Sequence, residues 1–211
     1  MTATPEPTRR DTDQRRLEIA AAARALIAER GFEGLRTRDI AERVGINIAT
    51  LHYHVPSKEA LVELVAQSLR DDFKAQYLSR PRDGLSALEV LRLEFADFRE
   101  TIADGAEPFI VLSDLSERAR RDPRIADIMR PMQAFWHGQI AEILARGRAD
   151  GNFRADLDPT AAASMVIGGM IASQRSPGDN LASFDRVAAE LERAVSNPPP
   201  PDPRSLPGLL P

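Results

Sequence analysis

The chain has 211 residues, 43% of them hydrophobic, which suits one sizeable domain or two small ones. It contains no cysteine, so disulfides, thiol nucleophiles and Cys-ligated zinc are excluded. The formal net charge of −4 argues against a generally basic surface, but the charge is uneven: residues 1–60 hold ten Lys and Arg against nine Asp and Glu, and residues 61–211 hold eighteen against twenty-three. An acidic body with a less acidic N-terminal module is compatible with DNA binding through a small face.

The spacing of hydrophobic residues predicts an all-α protein. Ala, Leu, Glu and Arg recur at intervals of three and four, without strand-type alternation of Val, Ile and Thr. The N-terminus lacks the apolar segment of a secretory signal, and no apolar run reaches 18 residues, so we expect a cytoplasmic protein without a membrane span. Residues 1–11 are predicted to form a disordered arm. The Pro-rich residues 197–211 are predicted to be disordered or polyproline II, with a ligand for a partner domain as the alternative.

Four helices are predicted in the N-terminal part of the chain. A polar residue suited to an N-cap precedes each of them, in chain order Thr12 or Asp13, Thr37, Asn47 and Ser57. Gly31, Gly45 and Pro56 are expected to end the first three, because glycine accepts a positive φ and proline cannot continue a helix. The second and third helices are short, and the fourth is long.

Five further helices are predicted in the remainder of the chain. They cover about residues 86–103, 108–121, 123–149, 159–175 and 183–196, and segments rich in Gly, Pro and Asp separate them. We therefore predict a helix-turn-helix domain over residues 12–58 and a C-terminal helical bundle over residues 59–196. Residues 59–78 would form the helix that connects the two.

The second and third predicted helices have the spacing of a helix-turn-helix. Ala41 is a small residue where the two helices would approach, and Gly45 can form the turn four residues later. Four apolar residues would then face inwards and hold the third helix across the second, namely Ile40, Val44, Ile46 and Leu51. In DNA-binding versions of this motif the later helix enters the major groove.

Residues 15–65 resemble the DNA-binding domain of the TetR/AcrR family of bacterial transcriptional regulators. The stretches that carry the resemblance are AAAARALIAERGFEGL, TRDIAERVGI and ATLHYHVPSKEALVELV, in that order. The resemblance implies a TetR-like fold, in which an N-terminal three-helix helix-turn-helix domain is joined to a C-terminal helical bundle. It also implies a homodimer, double-stranded operator DNA and a small-molecule effector as partners, no cofactor and no enzymatic activity. The chain departs from the family at His52, usually tyrosine, and at Val55, often phenylalanine.

Eleven residues match the family positions that contact DNA. The residues at the start of the third helix would contact base edges, and those at the start of the second would contact phosphate. The remaining residues of the set would contact the DNA backbone on the other side. They are Arg36, Thr37, Arg38, Asn47, Ile48, Ala49, Thr50, His52, Tyr53, His54 and Lys58. His52 replaces a hydroxyl that in relatives meets a phosphate, and a neutral imidazole can still donate one hydrogen bond.

Other interpretations of the same segment remain open. Tyr53 is alternatively a core aromatic, since one residue of the trio 52–54 is expected to face inwards. A metal pair of His52 and His54 is disfavoured, because residues two apart project about 200° apart on a helix. The arginines near the N-terminus could reach a minor groove or be solvated charges; they are Arg9, Arg10, Arg15 and Arg16.

In the C-terminal part, two sets of residues are candidates for binding. Aromatic and Met residues suit an apolar effector pocket, although a bundle core has the same composition; they are Phe95, Phe98, Phe109, Met129, Met132, Phe135, Trp136 and His137. The glycines of TAAASMVIGGMIASQ lie inside an apolar helix, where close packing of helices could offset their cost. In the family the last two helices form the dimer interface, which here predicts Ala162, Met165, Val166, Gly169, Leu191 and Val195.

The sequence thus predicts a ligand-responsive, DNA-binding transcriptional regulator. Repression is favoured over activation, because occluding a promoter requires only binding. The alternative is a helical ligand-binding or scaffold protein whose helix-turn-helix domain, referred to below as the head, no longer binds DNA. The departure from the family at His52 keeps this alternative open. An enzyme is disfavoured, because no Gly-rich phosphate loop or Ser-His-Asp arrangement stands out, and no metal site is expected.

Overall fold

The computed structural model describes residues 9–174 and 180–197, and within these ranges the regular structure is helical. A one-turn 3-10 helix, η1 (Phe32–Gly34), follows the first α-helix. The α-helices are α1 (Arg9–Arg30), α2 (Thr37–Val44), α3 (Ile48–His54), α4 (Lys58–Ser79), α5 (Ala87–Ala103), α6 (Glu107–Ala119), α7 (Pro123–Ala149), α8 (Pro159–Ser173) and α9 (Asn180–Val195). The predicted all-α class is confirmed. None of these helices is long and apolar enough to cross a membrane.

The starts of α1, α2 and α9 differ from the prediction, and α9 begins at Asn180, three residues before the predicted residue 183. Helix α1 begins at Arg9 rather than near Thr12. Arginine is a good helix former, and the negative charge of Asp11 in the first turn is stabilised by the positive end of the helix dipole. Residues 9–11 are therefore helical, while residues 1–8 of the predicted arm and 198–211 of the predicted tail lie outside the described residues. Thr37 is the first residue of α2 rather than its cap, since Arg36 occupies that position with extended backbone.

The turn of the helix-turn-helix is formed as predicted. Gly45 adopts the left-handed conformation, with φ 74° and ψ 32°. Its N–H donates to the Glu42 carbonyl at 3.1 Å, and the N–H of Ile46 donates to the Ala41 carbonyl at 2.9 Å. These two bonds are the Schellman arrangement, which satisfies the last carbonyls of α2 and reverses the chain.

The first of two compact units comprises residues 1–81 and 97–135, of which residues 1–8 are not described. Its hydrophobic core does not end where the predicted helix-turn-helix domain ends, because residues of α6 and α7 pack in the same cluster as those of α1 to α4. The members from α6 and α7 are Val111, Leu115, Ile125, Met129 and Met132.

Arg24 adds a polar link among the helices of this unit. Its guanidinium binds both carboxylate oxygens of Glu107 and also reaches Ser68 and Asp72. Burial lowers the pKa of Arg24, but the hydrogen bonds that it donates to Glu107 and Asp72 outweigh this effect and raise that pKa overall. Helices α1, α4 and α6 are thereby joined by one side chain.

The second compact unit comprises residues 82–96 and 136–211, of which residues 175–179 and 198–211 are not described. Its core depends on a close approach at Gly147 of α7, where the fully buried ring of Phe153 packs against the helix backbone. The N–H of Phe153 donates to the Gly147 carbonyl at 3.0 Å. Helices α8 and α9 pack against each other, with Leu191 seated on Gly169.

Candidate nucleic-acid interface

The first turn of α3 is exposed, as a base-reading segment requires. Asn47 caps the helix by accepting the N–H of Thr50 at 2.7 Å, which leaves its amide NH2 group available to a ligand. Ile48 is 45% exposed although it is a large apolar residue, and Ala49 beside it is exposed too. The inward positions of α3 are occupied by Leu51, and Val55 just beyond the helix is also buried. The helix is thus anchored from one side only, and its outer face is uncovered.

The start of α2 carries two exposed arginines beside this face. Within the described residues, neither Arg36 nor Arg38 forms an ion pair. Arg43 instead donates to both carboxylate oxygens of Glu29, and these hydrogen bonds lower the pKa of Glu29. Because α2 also begins without a side-chain cap, its first N–H groups and these two guanidinium groups are available to an anion.

The trio after Leu51 does not face inwards, contrary to the prediction that one member would. Tyr53 is 73% exposed and His52 is exposed, while His54 is half-buried and meets the Tyr53 ring edge-on at 5.1 Å. The reason is helical spacing: Leu51 and Val55 are four residues apart and take both inward positions. The interpretation of Tyr53 as a core aromatic is therefore wrong.

The N-terminal arginines belong to α1 rather than to an extended arm. Arg15 pairs with Glu18 at 2.7 Å, and Arg16 donates to the backbone carbonyl of His54 at 3.1 Å. A cation on the last carbonyls of α3 is favourable for the helix dipole, so Arg16 stabilises the C-terminal end of α3. Sequence reasoning missed this contact, because no local pattern links residues 38 positions apart.

Half-buried His54 is expected to make the stability of the helix-turn-helix domain depend on pH. Burial lowers the pKa of the His54 imidazole, and the neighbouring charges of Arg16 and Arg15 lower it further. As pH falls below about 6.5, the ordinary value that applies to the unfolded chain, the unfolded state takes up this proton first and the folded state loses stability.

We expect the melting temperature to fall between pH 7 and pH 5, and His54→Gln to reduce that fall. Thermal denaturation followed by circular dichroism at several pH values measures this effect. His137→Gln, at a histidine in the second unit, is the matched control. An identical pH profile for wild type and His54→Gln would show that His54 contributes nothing to the pH dependence.

The eight residues proposed for an effector pocket do not form one cluster within either unit. In the first unit, the ring centroids of Phe98 and Phe109 lie 4.0 Å apart in a stack, Met129 and Met132 are buried in the core, and Phe135 is 66% exposed. The second unit contains the other three.

In that unit, Phe95 packs edge-on against Phe184 at 6.5 Å, and Trp136 is half-buried. The Nε2 atom of His137 lies 3.0 Å from Ser164 Oγ. Several of the eight residues therefore already have packing partners within the chain.

Most residues proposed for a dimer interface are buried inside the single chain. The buried ones are Ala162, Val166, Leu191 and Val195, whereas Met165 is 41% exposed and Gly169 is covered by Leu191. The helix face that α8 turns outward is displaced from the predicted one. Beside exposed Ser164, it carries a row of small and apolar residues at spacings of four, three and four; they are Ala161, Met165, Gly168 and Ala172. On α9, an open groove of about 420 Å³ lies along residues 183–194.

Comparison with known proteins gives consistent matches. The family of bacterial regulatory proteins described as tetR matches residues 19–65, and the C-terminal domain of BetI-type transcriptional repressors matches residues 110–170. The HTH-type transcriptional repressor KstR2 of Mycobacterium tuberculosis (strain ATCC 25618 / H37Rv) is 30% identical over 149 residues, which cover 69% of this chain and 72% of the relative.

Two solved structures are similar over most of their length. A TetR-family transcriptional regulator from Agrobacterium tumefaciens superposes with a TM-score of 0.77 and 25% identity, covering 88% of this chain and all of that one. A transcriptional regulator from Saccharomonospora viridis, solved in complex with choline, has a TM-score of 0.74 and 25% identity, covering 86% of this chain and 95% of that one.

Proposed function

Because the chain belongs to the TetR family of bacterial transcriptional regulators, we propose that it is a cytoplasmic repressor that binds a palindromic DNA operator as a homodimer. Each subunit would place α3 in the major groove of one half-site. The observation that carries this proposal is the uncovered first turn of α3 beside two arginines without ion-pair partners in the described part of the chain.

The residues of this face divide by the DNA group that suits them. Ile48 and Ala49 offer apolar contact to thymine methyl groups, and Thr50 can hydrogen-bond a base or a phosphate. Arg36 and Arg38 suit phosphates, together with the free N–H groups at the start of α2. The DNA backbone on the far side would be held by His52, Tyr53, His54 and Lys58. Thr37 and Asn47 complete the predicted set of eleven residues.

Selection of duplexes from a random DNA pool tests the proposal directly. The recovered sequences should contain an inverted repeat, and the protein should bind a labelled copy with an affinity that falls steeply with salt. Fluorescence anisotropy at two or more salt concentrations measures this. A folded protein that enriches no sequence and shows no salt-dependent affinity would overturn the proposal.

For the dimer, we propose the outward face of α8, defined by Ala161, Met165, Gly168 and Ala172, together with the groove on α9. Small residues allow two helices to approach closely, and an added Cβ at Gly168 would meet nothing within 4 Å in the single chain. A glycine inside a helix costs up to about 1 kcal/mol relative to alanine, and close packing against a partner helix would offset that cost.

Met165→Asp is expected to convert the dimer to a monomer, because two carboxylates would be buried opposite apolar groups at a symmetric interface. Analytical ultracentrifugation should give a mass near 23.2 kDa instead of about twice that value. Ile110→Asp is the matched control, since Ile110 is 45% exposed and Met165 is 41% exposed. A Met165→Asp protein that remains dimeric would exclude this face.

We further propose that a small effector binds the C-terminal domain and lowers operator affinity by shifting the protein towards a state that does not bind DNA. The choline complex of the Saccharomonospora viridis regulator supports an effector site in this fold. The eight aromatic, Met and His residues named above remain the candidates. Those already packed against neighbours would have to move to admit a ligand.

A further inference from the structure

Lys58, the first residue of α4, has an unusual neighbour. Its ammonium Nζ lies 4.4 Å from the centroid of the Phe32 ring, within the range of a cation–π interaction. An ammonium at the start of a helix is opposed by the positive end of the helix dipole. The aromatic face therefore supplies an attraction that favours this particular position of the lysine head group.

Phe32 is in turn held by helix α6. Its ring is 1% exposed, and its backbone N–H donates to the Oδ2 atom of Asp114 at 2.6 Å. One turn further along α6, Arg118 pairs with Glu33, the next residue of η1. Two successive residues of η1 are thus bound by side chains four positions apart on α6, which fixes the backbone from which the Phe32 ring projects.

We propose that Asp114 is a positioning residue for DNA binding. It holds Phe32 so that the Phe32 ring keeps the Lys58 ammonium in place for a phosphate of the DNA backbone. Asp114 itself touches no DNA in this scheme. The inference rests on the proposed function, because it takes Lys58 to be a phosphate contact. It assigns a role in the DNA affinity of the helix-turn-helix domain to Asp114, a residue of α6 within the part matched by the C-terminal family model.

A first test needs no DNA, because the chain has only two lysines, Lys58 and Lys74. In protein labelled with 13C-lysine, the Phe32 ring current should shift the Lys58 ε-CH2 proton resonance upfield relative to that of exposed Lys74. We expect Asp114→Ala to lose this shift. Asp114→Asn should retain it, because the amide oxygen still accepts the N–H of Phe32. Lys58→Arg assigns the signal.

A second test measures DNA affinity against salt with a labelled duplex recovered from the random pool. Each phosphate contact contributes about −0.9 to the slope of log affinity against log salt. Lys58→Ala and Asp114→Ala should each reduce the magnitude of the slope by about 0.9 per head, and the double variant should lose no more than either alone. A purely structural role for Asp114 would leave the slope unchanged. Glu117→Ala, an exposed carboxylate of α6 that pairs with Arg120 and Arg121, is the matched control.

The outcomes separate the inference from the proposed function. If folded Asp114→Ala keeps the shifted Lys58 resonance, the positioning role of Asp114 is excluded. It is also excluded if Asp114→Ala keeps the full salt slope while Lys58→Ala loses part of it. Neither outcome contradicts the proposed function as a repressor. If Lys58→Ala leaves the slope unchanged, Lys58 is not a phosphate contact and the inference fails. If the wild-type protein has no salt-dependent affinity, the proposed function fails and the DNA role of Asp114 fails with it.

Discussion

Gly147→Ala is expected to lower the free energy of unfolding by about 3 kcal/mol, the upper end for overpacking a well-formed core. An added Cβ would overlap the ring of Phe153, and it would also lie 2.8 Å from the Cβ of Ala87. Phe153 is 1% exposed, so its ring can move away only if the close-packed residues around it also shift. In a chain of this size the melting temperature should fall by about 6–12 °C, as thermal denaturation would measure.

Gly138→Ala is the matched control, because Gly138 also lies in α7 but is exposed, with nothing within 4 Å of an added Cβ. This variant should gain up to about 1 kcal/mol from the higher helix propensity of alanine. Phe153→Leu in the Gly147→Ala background should recover part of the loss, since the two sites are in contact. If Gly147→Ala were as stable as the wild type, the close approach of Phe153 to α7 would be incorrect.

The helix-turn-helix could be predicted from the sequence because its determinants are local. Asn47 and Ser57 cap helices that begin one residue later, and α2 ends at Gly45, where the N–H groups of Gly45 and Ile46 donate to carbonyls three and five positions back, respectively. The N-cap of α2 was predicted wrongly, because the residue next to the predicted cap occupies the cap position instead. Thr37 is a good cap by type, yet the chain enters α2 through Arg36, and the side chain of Arg36 makes no capping bond.

Features that depend on distant packing could not be predicted in the same way. Asp114 and Phe32 are 82 residues apart, and nothing near either residue indicates their hydrogen bond. The sequence of α8 shows its small residues, but periodicity alone does not tell which face of the helix packs on α9. The buried face proved to be the one with Ala162 and Val166, and the outward face is about one residue out of phase.

Ala49→Asp is expected to weaken DNA binding at least about 100-fold at 0.15 M salt while leaving the fold intact. Ala49 is the second residue of α3, where an aspartate favours the helix dipole and the helix should therefore form as before. Towards DNA the same carboxylate would meet phosphates and base edges in the groove. A cost of about 1.4 kcal/mol per head is a factor of ten, and a dimer that engages both half-sites incurs it twice.

The control for charge alone is Ala75→Asp, which makes the same change of net charge at an exposed position of α4, outside the proposed DNA and dimer surfaces. This variant should bind the selected duplex within about twofold of wild type, because exposed charges farther apart than the Debye length of about 8 Å are largely screened at this salt concentration. Anisotropy titrations of both variants, with circular dichroism to establish folding, make the comparison.

Equal affinities for the two variants would mean that the first turn of α3 does not face DNA, and the assignment of Asn47 to Thr50 as the residues that contact base edges would then be wrong. A selective loss in Ala49→Asp would locate the reading edge on one surface, since Leu51 and Val55 already occupy the inward side of this segment.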